Sequence, residues 1–149
     1  MNNFNLSILV SEGLNRYYAE ANLDAKLTYE EKWAKIKVGP FNFYIPNTEQ
    51  RKKALRIHDI HHVVTGFKTT LQGEGQISGW EIGSGGCGSN LYVWIIVLTG
   101  FFSGLFICPI KTIKAFLMGT KCKNLFGLDP TPYYSLSIRD ARKQLNLPV

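Results

Sequence analysis

Apolar residues recur along this chain mostly at helical spacing, and the recurrence divides it into a succession of short helices. From Leu6 to Leu23, Ile8, Leu9, Leu14, Tyr17, Tyr18 and Ala21 mark one amphipathic helix with Gly13 as its only interruption. Thr28 and Glu31 have capping-box spacing ahead of YEEKWAKIKV, so a short second helix is expected up to the stop at Gly39-Pro40. Phe41 to Ile45, held between Pro40 and Pro46, alternates aromatic and polar residues and reads as an extended crossing loop, since a lone strand would have nothing to pair with. Asn47 or Thr48 caps a central helix, EQRKKALRIHDIHHVVTGF, which Gly66 ends. Thr69 or Thr70 opens the next, LQGEGQISGWEIG, whose Gly73, Gly75 and Gly79 suit a close approach to the central helix. Ser135 or Ser137 caps a last short helix, IRDARKQLNL.

After the glycine-rich run Gly83 to Gly88 comes LYVWIIVLTGFFSGLFICPI, Leu91 to Ile110, which carries no charge. Its length matches the roughly 20 residues that cross a hydrocarbon core. Gly100 and Gly104 have the small-xxx-small spacing of helices that touch in lipid. Lys111, Lys114, Lys121 and Lys123 follow and place that flank on the cytoplasmic side. Three placements fit: a full span, a helix or re-entrant hairpin docked on the membrane and broken near Gly100 and Gly104, or an ordinary core helix. The expected fold class is all-α: a single helical domain, 1–149, with a metal-binding helix pair and a long apolar helix or helical hairpin.

Composition narrows the partners. Seventeen Lys and Arg against eleven Asp and Glu give a net charge of +6, which favours anionic surfaces or ligands. The basic residues do not alternate with aromatics in a recognised motif, so nucleic acid is not expected. No glycine-rich phosphate loop is present, which leaves nucleotide hydrolysis without support. Cys87, Cys108 and Cys122 form no Cys-x-x-Cys pair, so reduced thiols are expected in place of a disulfide framework or a thiolate zinc site. MNNFNLSILVSEG lacks the features of a secretory signal or a mitochondrial presequence, and a membrane-associated protein on the cytoplasmic side is the expectation.

The chemistry concentrates in one place. All three histidines lie within His58-Asp59-Ile60-His61-His62. At about 100° per residue, His58 and His62 sit about 40° apart on a helix, with Asp59 just beyond them and His61 about 60° to the other side. Glu74 from the following helix can complete a nitrogen–oxygen ligand set for a divalent metal: zinc first, with iron and manganese accepted by the same donors. Glu81, two turns after Glu74, shares its face and is expected to orient a ligand or accept a proton. His61 is expected to be structural or to orient a ligand. The His58-Asp59 dipeptide is shared with metal-dependent phosphohydrolases, but the further histidine and aspartate those enzymes need are missing.

His58 and Asp59, His62 three positions after Asp59, and Glu74 after eleven intervening residues reproduce the H-D-x-x-H-(eleven)-E spacing of the coenzyme Q biosynthesis protein 4 family. Gly66, Gly73 and Trp80-Glu81 agree as well. From Ile45 to Ile82 the chain resembles that family, in the manner of a short bacterial-type relative. The resemblance implies an all-helical fold and a divalent metal on His58, Asp59, His62 and Glu74. It also implies peripheral membrane attachment, binding of a polyprenylated quinone precursor, and oxidative decarboxylation of its aromatic ring, a lyase-type activity in ubiquinone biosynthesis. The alternative is a non-catalytic lipid-binding scaffold with a structural metal that organises quinone-biosynthesis enzymes. Expected partners are thus an isoprenoid or quinone-like lipid, a membrane surface, such enzymes, and a second copy of the chain in a homodimer.

Overall fold

The computed structural model describes residues 5–21, 30–38 and 41–149. Among them are six α-helices: α1 (Val10–Glu20), α2 (Glu49–Thr65), α3 (Leu71–Gly83), α4 (Leu91–Ile107), α5 (Pro109–Gly119) and α6 (Ile138–Gln144). A short 3-10 turn, Thr131–Ser135, precedes α6. The ends of the helices follow local chemistry closely. Thr48 caps α2 by accepting from the Arg51 backbone N–H, and Gly66 ends it in the left-handed region at φ 78°. Thr70 and Ser137 cap α3 and α6 in the same way, through the N–H groups of Gly73 and Asp140.

The helical class holds with one addition. The stretch expected to be a short second helix is strand β1 (Trp33–Val38), and the expected crossing loop is strand β2 (Phe41–Pro46). The two pair antiparallel, from Trp33 opposite Pro46 to Val38 opposite Phe41. WAKIKV alternates apolar and basic residues with period two, and the start of β2 alternates aromatic and polar ones. That alternation outweighs a capping box once each strand supplies the other's partner. Thr28, the expected cap, lies outside the described residues, as do residues 22 and 23 of the expected first helix.

The core forms where α1, α2, α3, α5 and α6 converge: Val10, Leu14, Ile57, Ile60, Val64, Ile77, Trp80, Leu125, Ile138 and Leu145 are all buried. Burial of side chains this size stabilises by about 1.5–3 kcal/mol each before conformational entropy is counted. Residues just before α1 also tie to the C-terminal part: Leu9 bridges Ser137, and the Ile138 N–H donates to the Ile8 carbonyl. Gly13 does not interrupt α1; a side chain there would strike Val63 and Ile138, so its absence lets α1 seat on the core.

Helix α3 is the hub, packed most extensively on α5 and α4. Gly75, Gly79 and Gly83 serve those two neighbours while Gly73 meets the backbone of Lys68, which corrects the expectation that the α3 glycines draw α2 and α3 together. A Cβ added to Gly75 would lie 2.5 Å from the Cα of Gly104, and one added to Gly79 would lie 2.8 Å from the Thr112 carbonyl oxygen. Gly100 and Gly104, expected to meet another helix in lipid, therefore face α3: Gly104 meets Gly75, and Gly100 meets Ser78.

The apolar run is likewise divided. Helix α4 ends at Ile107, Cys108 leaves the helical region at φ −147° and ψ 62°, and Pro109 begins α5. A residue before proline is disfavoured in the α region, while proline itself suits a helix's first position. The break is thus at Cys108, not near Gly100 and Gly104, and the expected long apolar helix over 91–110 does not form. Among the described residues no helix is long and apolar enough to cross a membrane.

Candidate metal centre

Helices α2 and α3 bring His58, His62 and Glu74 together, and ligand atoms from all three lie within 4.8 Å of one another. Residues 58 and 62 share a face of α2 by their four-residue spacing, and the Thr70 cap starts α3 so that Glu74 falls in its first turn. His62 Nε2 stands 3.1 Å from His58 Nε2. His58 Nε2 is 3.4 Å from Glu74 Oε2, and His62 Nε2 is 3.4 Å from Glu74 Oε1.

The outer nitrogens settle which atoms face inward. His62 Nδ1 lies 2.8 Å from the Phe67 carbonyl oxygen, which only accepts, so Nδ1 carries the proton and donates. The left-handed turn at Gly66 is what brings the chain back to deliver that carbonyl. His58 Nδ1 donates at 2.9 Å to Glu81 Oε1, a carboxylate buried completely. Both imidazoles therefore aim Nε2 at the same point. Two nitrogen lone pairs and a carboxylate converging on one spot repel one another unless a proton on His58 or a metal cation sits between them.

The charges agree. Burial opposes protonation of His58, but Glu81 and Glu74 outweigh it and hold the imidazole well above its ordinary range. Burial would raise Glu74, yet the hydrogen bonds and charges of His58 and His62 prevail and bring it down to about 2. Glu81 is also lowered to about 2, with His58 and His61 overcoming its burial. An ionised Glu74 is what a dication requires, whereas His58 must first give up the proton that its raised pKa favours.

The donor set fits such an ion. Bonds of about 2.0–2.1 Å in a tetrahedral arrangement separate donor atoms by roughly 3.3 Å, close to the 3.1 and 3.4 Å found here. Each histidine has its outer N–H anchored on an oxygen, as ligating histidines do. With Glu74 binding through one oxygen, three protein donors would leave a coordination position open, unlike the closed four-ligand sets of structural zinc. Glu74 keeps 39% of its side chain exposed while His62 is sealed, so the open side lies toward Glu74.

Asp59 is not among the converging ligands, although it was expected with them. It is buried, and it accepts hydrogen bonds from the hydroxyls of Tyr18 (3.0 Å) and Tyr17 (3.4 Å) of α1. One residue past His58, it has rotated about 100° around α2 toward that neighbour. Tyr17 in turn stacks on His62, with ring centroids 5.3 Å apart. Burial and the charges of Asp59 and Glu74 push the Tyr17 phenol upward, so it remains a donor. A cavity of about 480 Å³ between α1 and the α2–α3 connection reaches this wall, with Tyr17, His62, Phe67 and Thr70 in its lining.

Tyr17, Tyr18 and the Phe67 carbonyl belong to the site but carry no mark in the sequence. A tyrosine pair forty residues upstream becomes meaningful only when α1 is seen against α2. No protein-family model matches this chain, and no curated protein matches it.

Proposed function

We propose that this protein is a membrane-associated metalloprotein, related in function to coenzyme Q biosynthesis protein 4, that presents a divalent ion to the head of a quinone-precursor lipid. The observation that carries the reading is the convergence of His58 Nε2, His62 Nε2 and both Glu74 oxygens at 3.1–3.4 Å, with both outer imidazole N–H groups anchored. His58, His62 and Glu74 would hold the ion, zinc in the first instance. When bound, it would act as a Lewis acid on a phenolic or carboxylate oxygen. Around it, Glu81 and the Phe67 carbonyl orient the imidazoles, and Tyr17 and Phe67 line the adjoining cavity.

The lipid half of the proposal is supported by the outer surface of α4 and α5. Leu91, Ile95, Leu98, Phe102 and Phe106 form an exposed apolar stripe on α4, with Phe106 93% exposed. Ile110, Ile113 and Leu117 continue it on α5, beside the exposed Lys111, Lys114, Lys121 and Lys123. No acidic residue occurs between Glu81 and Asp129, so the segment that carries this apolar face bears only basic charges. Such a face fits an anionic bilayer surface.

Two measurements test the reading. Purified protein is expected to carry one divalent ion per chain by elemental analysis and to sediment with anionic but not neutral vesicles. Failure of both sinks it. The exposed α4–α5 face also favours a second reading, a scaffold that recruits partner enzymes with a purely structural metal. The two part on the cobalt-substituted protein: a prenylated hydroxybenzoate should shift its visible bands if the open position takes substrate, and leave them unchanged in a scaffold.

Metal uptake should also follow pH with a definite sign. The ion competes with the proton that Glu81 and Glu74 favour on His58. Apparent affinity is expected to rise with pH and to level off only once the raised His58 pKa is passed. For the metal-free protein the linkage runs the other way. A raised folded-state pKa contributes stability that is complete below the ordinary imidazole value of about 6.5 and lost as pH climbs through the folded value. The increase in Tm on adding zinc should therefore grow between about pH 6 and 8, and a Tm increment independent of pH would contradict the assigned ligands.

A further inference from the structure

We propose that His61 is a positioning residue for the metal centre: acting through a single carboxylate oxygen of Glu81, it holds His58 in the tautomer and orientation that present Nε2 to the ion. This rests on the metal reading above and adds to it a residue outside the ligand set.

The hydrogen bonds fix the direction of the chain of contacts. The backbone N–H of Leu125 donates to His61 Nε2 at 3.0 Å. A backbone N–H cannot accept, so Nε2 bears the lone pair and Nδ1 bears the proton. Nδ1 then donates to Glu81 Oε1 at 2.8 Å, the same oxygen that accepts from His58 Nδ1 at 2.9 Å. Both nitrogens of His61 are thereby engaged, which removes it from contention as a ligand.

Glu81 depends on this arrangement for its aim. Its other oxygen, Oε2, is buried without a hydrogen-bond partner among the described residues. Two imidazole donors on one oxygen are thus what orient the carboxylate, and only one of them is a metal ligand. His61 is itself immobile: the rings of Trp80 and Phe126 meet it edge-on at 5.1 and 5.2 Å, and the residue is fully buried. The segment that supplies the Leu125 N–H is anchored next door, where the Asn124 side chain donates to the carbonyls of Glu81 and Gly86. Remove the His61 donor and the carboxylate is free to turn on its last bond, taking the His58 ring with it.

The test uses the full chain with ¹⁵N-labelled histidine and zinc as the metal. Long-range proton–nitrogen spectra of the loaded wild type should show the proton of both His58 and His61 on Nδ1, with His58 Nε2 shifted by the metal and His61 Nε2 not. His61→Phe keeps a ring against Trp80 and Phe126 but has no nitrogen, and should weaken zinc binding by about tenfold to a hundredfold, as loss of an orienting partner does. His61→Gln, whose carboxamide offers one donor and one acceptor, should recover affinity to within about threefold of wild type. A proton found on His61 Nε2, or folded His61→Phe with wild-type affinity, would overturn the proposal while leaving the metal site standing. Absence of zinc uptake by the wild type would overturn both. Should His61→Phe fail to fold, the wild-type spectrum and His61→Gln decide on their own.

Discussion

Alanine at His58 is expected to weaken divalent-metal binding by about two orders of magnitude while leaving the helical domain folded. The estimate follows from spreading the roughly 10–16 kcal/mol of a four-ligand zinc site over its ligands, about 3 kcal/mol each. The fold should survive because the His58 side chain is 20% exposed and its loss leaves Glu81 still held by His61. A competition titration against a chromophoric chelator, with circular dichroism as the check on folding, measures both. The control that sharpens it is Asp59→Asn. Asp59 is engaged by Tyr17 and Tyr18 and is not one of the converging ligands, so affinity should fall by about tenfold at most. Equal losses at the two positions would return Asp59 to the ligand set. An unchanged affinity in His58→Ala would remove the site altogether.

Valine at Gly104 is expected to destabilise the protein by about 3 kcal/mol or more, lowering Tm by roughly 6–12 °C for a chain of this size. A Cβ at that position would lie 2.6 Å from the Cα of Gly75, and one at Gly75 would lie 2.5 Å from the Cα of Gly104. Each position is blocked by main chain, and helix backbone cannot swing aside as a flexible side chain can. The remaining way to relieve the clash is to part α4 from α3, which would also disturb the first turn where Glu74 sits. Thermal denaturation of Gly104→Val against Ser103→Ala, an exposed neighbour on the same helix, measures the effect; the control should stay within about 0.5 kcal/mol of wild type. A Gly104→Val protein as stable as the control would show that α3 and α4 do not meet in this way.

Both results turn on features whose partners lie far apart in the chain, and this separates what local pattern conveys from what it cannot. The limits of α3, the stop at Gly66, and each cap to within a pair of candidates (Thr48 of Asn47 or Thr48, Thr70 of Thr69 or Thr70, Ser137 of Ser135 or Ser137) could be read from the sequence, because a helix end is satisfied by groups within four residues of it. The pairing of His58 with His62 was legible for the same reason, since helical geometry places them side by side before anything packs. Glu74 and Glu81 both meet the histidine helix, as their spacing of two turns suggests.

Beyond that reach, the chain's own pattern was ambiguous. WAKIKV has a helix-start signal and a strand alternation at once, and only the antiparallel partner decided for the strand. The uncharged run from Leu91 to Ile110 has the length of a membrane span, but length says nothing of the conformation Pro109 imposes on Cys108. Glycines at every fourth position announce a close approach without naming the neighbour; here it is α4 and α5, not α2.

The sequence by itself determined the class of the fold, the bounds of the helices that carry the site, and two imidazoles on one face with a carboxylate to follow. Tertiary structure alone decided that Asp59 turns to the tyrosines of α1, that the carboxylate of Glu81 is shared between two histidines, and that a backbone N–H at Leu125 fixes the tautomer of one of them. The physical reason is the range of the interactions. Capping and periodicity act within a turn or two of the same helix, whereas a hydrogen bond between residues 61 and 125 exists only once packing has paid the entropy of bringing them together.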